Sequence, residues 1–138
     1  MSKNLVISAA FGFGMDELEL FLKSLRKYYN GDVCFAIGPN DQSLEKELKK
    51  NDCLCIKTKI DRRDIQAKRY QVFLEFLENK TYDKILFCDS RDIYFQSNPF
   101  NFSYKGSLNF FLEDEEIQNC PFNSNWIIKT YGLSKFLS

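Results

Sequence analysis

The chain contains no histidine, and that absence removes more chemistry than any single motif supplies. Serine–histidine and cysteine–histidine nucleophiles are excluded, and zinc loses its commonest ligand. Acid or base work must come from carboxylates, lysine, tyrosine or the substrate itself. Net charge is missing too. Nineteen basic and nineteen acidic residues cancel across 138 positions, so no overall field favours nucleic acid or an anionic membrane. The apolar run at 5–10 is too short to span a bilayer, so no transmembrane segment is expected. No basic stretch followed by an adequate apolar segment marks a secretory signal. The five cysteines (Cys34, Cys53, Cys55, Cys88 and Cys120) are odd in number and lack the paired C-x-x-C spacing of a zinc site. They read as small apolar residues in a reducing, cytoplasmic protein. Internal repeats, low-complexity tracts and linkers are absent.

What remains is a chain of ordinary globular composition, 44% hydrophobic and 28% charged, whose 138 residues fit one domain. Most of its fourteen phenylalanines are expected in a core. Four short apolar runs, at 5–10, 33–37, 53–56 and 85–88, have the length of buried strands. A helical pattern follows each of the first three. The first helix is expected to be capped by Asp16, with Glu19 at its third position, and to bury Leu18, Phe21, Leu22, Leu25, Tyr28 and Tyr29. Asp41 opens a second, mostly polar helix with Leu44 and Leu48 to bury. Alternating strands and helices imply an α/β fold, a mainly parallel sheet with helices on both faces. Past Phe95 the pattern changes. A strand is expected over 108–112, and an acidic cluster at 113–116 follows, which reads as a solvated face.

The run Ile85-Leu86-Phe87-Cys88 ends abruptly on Asp89, and Asp92 follows three residues later. Burying Asp89 within a strand is costly, so the strand should end where the charge begins. Both carboxylates then lie at the carboxyl edge of the sheet, where open α/β folds bind ligands. Two hard oxygen donors there suit Mn²⁺ or Mg²⁺ bridging to a substrate's phosphates. The plainer reading is a carboxylate capping a turn and an ordinary Arg91–Asp92 surface pair.

A helix over 64–79 carries the second clue. At about 100° per residue, Ile65, Val72, Phe73 and Phe76 share a narrow arc with Arg69 at its centre. A guanidinium in an apolar stripe requires a partner. Its place early in the helix points it toward the crevice that Asp89 faces, where it can contact a phosphate, simply pair with Asp89 or another carboxylate, or snorkel to water. The loop Ala10-Phe11-Gly12-Phe13-Gly14 permits close backbone approach and precedes a helix N-terminus, with Phe11 or Phe13 available to stack on a base. It matches neither the dinucleotide fingerprint nor a phosphate-binding Gly-Lys-Ser/Thr loop.

Arg69-Tyr70, Tyr82-Asp83, the apolar strand, Asp89-Ser90-Arg91-Asp92 and Phe95-Gln96-Ser97-Asn98-Pro99-Phe100, taken together, resemble the GT-A superfamily of nucleotide-diphospho-sugar glycosyltransferases. The resemblance implies a Rossmann-like nucleotide-sugar-binding half. It implies Asp89 and Asp92 as metal and diphosphate residues, Arg69 and Arg91 as donor contacts, and Ser8, Ala9, Ala10 and Phe11 as the nucleotide edge. A UDP-sugar donor and a glycan or other acceptor are implied, but no catalytic residue is identified. Trp126 in Asn125-Trp126-Ile127 also resembles a region of the family; an exposed ring there could stack on a sugar, but burial in the core is expected. Such domains run well beyond the Tyr131-Gly132 turn, so the acceptor part is expected to be lacking. Two other functions stay open: a non-catalytic nucleotide-sugar-binding module, and a phosphohydrolase with Asp89 as nucleophile. The latter is disfavoured by Arg91 and Ile93, which stand where Asp and Thr would be needed.

Overall fold

The computed structural model describes residues 3–61, 64–110, 116 and 119–132. The chain divides into two compact units, Met1–Phe102 and Ser103–Ser138. In the first, β1 (Asn4–Ala9), α1 (Met15–Arg26), β2 (Asp32–Ile37), α2 (Gln42–Lys50), β3 (Cys53–Lys57), α3 (Ile65–Leu77) and β4 (Lys84–Phe87) follow one another. The four strands form an all-parallel sheet in the order β3-β2-β1-β4. The fold is α/β, as the alternation of apolar runs and helical patterns implies.

Strand periodicity sorts the core onto two faces. Val6, Val33, Phe35 and Ile37 face α1 and α2, which contribute Leu18, Phe21, Leu22, Leu25, Leu44 and Leu48. Leu5, Ile7, Ala9, Cys34 and Ala36 face the other way and meet Phe73 of α3, with Val72, Phe76 and Leu77 packed around it. Helices therefore cover both faces. The central strands β1 and β2 are buried nearly throughout, whereas β3 and β4 at the edges are only partly covered.

The start of α1 differs from expectation. Gly14, not Asp16, occupies the cap, and the Glu17 carboxylate reaches back to the Gly14 N–H at 3.0 Å. Glu17 thus supplies the return half of a capping box, and the turn before it needs a left-handed residue, provided by Gly12 at φ 72°. The phenylalanines also divide more evenly than expected. Phe21, Phe35, Phe73, Phe95 and Phe100 are buried, but Phe87, Phe102, Phe110 and Phe122 are exposed.

In the second unit α4 spans Pro121–Tyr131, with proline in its first turn and Gly132 (φ 85°) closing it through an N–H to the Ile128 carbonyl at 2.9 Å. Trp126 lies on this helix and is 50% exposed, so it is not the buried residue its size implies. The strand expected at 108–112 does not form over 108–110; residues 111–112 lie outside the described residues. Asn109 instead donates to the Gly106 carbonyl at 2.8 Å, a local bond that competes with strand pairing. Of the acidic cluster, 113–115 lie outside the described residues, and the Glu116 carbonyl accepts N–H groups from Asn119 and Cys120. Among the described residues, no helix is long and apolar enough to cross a membrane.

Candidate functional site

Register places the end of β4 beside β1, Phe87 opposite Ile7. Beyond it the chain is pinned three times. The Cys88 N–H donates to the Ile7 carbonyl at 3.3 Å, and the Ser8 hydroxyl donates to the Cys88 carbonyl at 2.6 Å. The Ser90 hydroxyl, itself buried, donates to the Ala9 carbonyl at 3.0 Å. Asp89 sits between these anchors with its side chain 66% exposed. The strand therefore ends at the charge, as its desolvation cost requires, and presents a largely exposed carboxylate on a fixed backbone.

Arg69, in the second turn of α3, meets that carboxylate. Its Nη1 donates to Asp89 Oδ1 at 2.5 Å, its Nη2 to the Tyr70 hydroxyl at 3.3 Å, and the guanidinium lies 5.1 Å from the Tyr70 ring centroid. The Arg69 side chain is 16% exposed, and its Nε is buried with no hydrogen-bond partner among the described residues. Burial opposes the guanidinium charge, but the Asp89 hydrogen bond and charge outweigh it and hold the pKa above the ordinary arginine value. Arg26 makes a useful contrast. Its guanidinium is committed to the carbonyls of Gly31, Asn51 and Asp52, a purely structural role.

Arg69, Tyr70, Phe73, Phe87, Cys88 and Asp89 line a cavity of about 180 Å³. Its aromatic wall is ordered by ring contacts, with Phe73 stacked on Phe87 at 5.9 Å and Tyr70 edge-on to Phe73 at 6.1 Å. Burial, then the Asp89 charge, pushes the Cys88 thiol up to about 12, so it stays neutral at physiological pH. A larger hollow of about 490 Å³ runs along the polar side of α2. Glu45 there is already paired with Lys49 and Lys57 at 2.7 and 2.6 Å, which makes that hollow a solvated ionic face.

The other residues singled out from sequence separate into three groups. Asp92 and Arg91 are exposed and joined only at 3.6 Å, and the Arg91 guanidinium rests 5.7 Å from the Phe13 ring centroid. Ser8, Ala9 and Ala10 are buried in the sheet, with the Ser8 hydroxyl committed to Cys88 and the Ala10 N–H to the Ala36 carbonyl at 2.9 Å. Their side chains build the edge and do not present chemistry to it. Phe11 and Phe13 pack against opposite faces of the sheet, each half-buried.

Much of the signature run proves structural. Tyr82 and Asp83 secure the opposite, amino edge. The Tyr82 hydroxyl donates to Asp32 at 2.9 Å, and Asp83 exchanges two bonds of 2.7 Å with the Lys3 backbone. Phe95 packs edge-on to Phe21 at 5.1 Å, while its N–H donates to the Ser24 hydroxyl at 3.1 Å. Phe100 meets Tyr29 at 5.0 Å. Sequence reasoning missed Ser90 and Ser24. Small hydroxyls carry no periodic signal, although Ser90 between two charged residues invited the question of what it bonds.

Among the described residues, no group of three or more His, Cys, Asp or Glu side chains is placed to hold a metal ion. Asp89 and Asp92 offer two accessible hard donors, a set that fits a cation retaining water and phosphate ligands and does not fit an all-protein cage. No protein-family model matches the chain, and no curated protein matches it.

Proposed function

We propose that the carboxyl edge of β4 is the donor-diphosphate site of a metal-dependent glycosyltransferase of GT-A type, taking a nucleotide-diphospho-sugar, with UDP-sugars favoured. One observation carries this reading. A largely buried arginine with an unmet donor meets an exposed carboxylate at the ligand-binding edge of a parallel sheet. Arg26, by contrast, spends its Nη donors on the backbone carbonyls of Gly31, Asn51 and Asp52, whereas Arg69 keeps a buried Nε without a partner among the described residues.

Asp89 and Asp92 would hold Mn²⁺ or Mg²⁺, whose chemistry when bound is Lewis-acid neutralisation of charge on the departing nucleoside diphosphate. Arg69 would supply positive charge to the same oxygens from a guanidinium that Tyr70 braces from the side. Arg91, exposed and tethered only to Asp92 and the Phe13 ring, would add a second positive charge to the phosphates. The residues 8–11 border the site through backbone and the Phe11 ring, and the acceptor is a glycan or other hydroxyl compound. A cytoplasmic location suits the five free thiols.

Calorimetry tests the reading. UDP should bind more tightly with Mn²⁺ or Mg²⁺ than with a chelator, and UDP release should be detectable from one or more UDP-sugars. Equal affinity with and without metal would refute the metal-bridged site. Metal-dependent binding without turnover would leave a donor-binding module.

A further inference from the structure

We infer that the Arg69–Asp89 ion pair is a latch that makes metal and diphosphate bind as a pair, each poorly alone. The inference rests on the donor-site reading above. In the structure each partner occupies the other's binding function. The guanidinium sits where a cation would contact Asp89, and the carboxylate sits where a phosphate would contact Arg69, at 2.5 Å.

A metal ion arriving alone must pull Asp89 from Arg69. That strands a guanidinium whose side chain is 16% exposed and whose Nε already lacks a partner, beside a new positive charge. A diphosphate arriving alone must draw Arg69 away and bring its negative charge against a freed carboxylate. When both arrive, the cation takes Asp89, the phosphate takes Arg69, and every charge regains a partner. Such coupling is reciprocal: each ligand strengthens the other by the same factor. Tyr70 is the hinge of the latch. Its hydroxyl and ring keep contact with the guanidinium when the Asp89 bond opens, so Arg69 turns to the ligand without being released to solvent. Arg91 and Asp92 carry the same charges but are 57% and 81% exposed and 3.6 Å apart, so solvent screens their pairing and opening it costs little. They form a built-in control.

The test measures each ligand without the other. In chelator, Asp89→Asn should bind UDP about three- to fivefold more tightly than the wild type, the worth of a partly exposed ion pair, while Asp92→Asn changes affinity less than about twofold. With Mn²⁺ alone, Arg69→Gln should bind the ion more tightly than the wild type by a similar factor, and Arg91→Gln should not. Matching each variant to one of equal charge removes the general field effect. Asp89 is exposed, so its variant retains the fold and carries the test even if Arg69→Gln melts early. Equal behaviour of Asp89→Asn and Asp92→Asn would overturn the latch while metal-dependent UDP binding by the wild type leaves the donor site standing. Failure of the wild type to bind UDP with Mn²⁺ would overturn both.

Discussion

Replacing Arg69 by lysine separates a structural arginine from a ligand-binding one, and the geometry fixes the size of each effect. Lysine keeps the charge, so the pair with Asp89 survives in altered form. What disappears is the fork that reaches Asp89 and the Tyr70 hydroxyl together at 2.5 and 3.3 Å, and the stacking on the Tyr70 ring. Asp89 is 66% exposed, so solvent screens the pair heavily and its share of stability is about 1 kcal/mol at most. Loss of stacking adds roughly 0.5–1 kcal/mol. Urea denaturation should therefore show a stability loss of roughly 0.5–2 kcal/mol for Arg69→Lys. Affinity for UDP with Mn²⁺ should fall by roughly 1–3 kcal/mol, because a bidentate phosphate contact becomes a single one. Calorimetry and denaturation on the same preparation read both numbers. A larger stability loss with unchanged affinity in the folded fraction would refute the argument, and Arg69 would then be a core brace like Arg26.

Asp89→Asn and Asp92→Asn should each lose most of the Mn²⁺-dependent gain in UDP affinity, with the melting temperature of Asp92→Asn close to wild type and that of Asp89→Asn lowered only by loss of a screened pair worth about 1 kcal/mol at most. Phe21→Ala should cost about 3–5 kcal/mol in urea denaturation, since the ring is fully buried between Phe35 and Phe95 and nothing nearby can fill its space. Alkaline stability should be poor. Burial first, then neighbouring charge, lifts the Cys34 thiol from 9.0 to about 12. Tyr29 is lifted from 10.0 to about 12 by burial and the Asp32 charge, and Tyr82 by burial, its hydrogen bond to Asp32 and the Asp32 charge. Each group ionises first in the unfolded chain, so its contribution is complete below about pH 9 and is lost as pH rises toward 12. Denaturation midpoints that stay flat from about pH 8 to 11 would contradict this.

The parallel sheet was legible because its evidence is redundant. Four apolar runs, three helical stripes and their alternation all agree, and errors at strand ends amount to a residue or two. The helix caps were less legible. Asp16 and Glu17 are both acidic and adjacent, and only the left-handed turn at Gly12 decides which residue begins the helix. The α4 helix passed unnoticed despite Pro121 and Gly132 marking its ends, because its face carries no clear apolar stripe. In the site, Arg69 meeting Asp89 is one of the outcomes its place implies, beside phosphate contact and reaching out to water, since an arginine in an apolar stripe has few places to go. The aromatic wall of Tyr70, Phe73 and Phe87 was not. Phe73 was assigned to the core and Phe87 to the strand, and only the crossing of α3 over β4 shows that their rings meet.

The two carboxylates of the motif look equivalent in sequence, and the fold makes them different. Asp89 is flanked by Cys88 and Ser90, and both flanks are bonded to β1, the central strand, through Ile7, Ser8 and Ala9. Ser8 and Ser90 act as a pair of clasps, one given by β1 and one by the chain just past β4, so displacement of residue 89 means breaking a hydrogen bond on either side. Asp92 lies beyond the second clasp, and the next anchor is Phe95, bonded to Ser24. It is therefore held at a distance by its neighbours, where Asp89 is held directly. A site that must present one carboxylate at a fixed point and let another adjust to a ligand needs this inequality. It follows that Ser90, which contacts no ligand in this arrangement, determines where Asp89 and Arg69 meet. The chemistry of the edge depends as much on that buried hydroxyl as on the charges beside it.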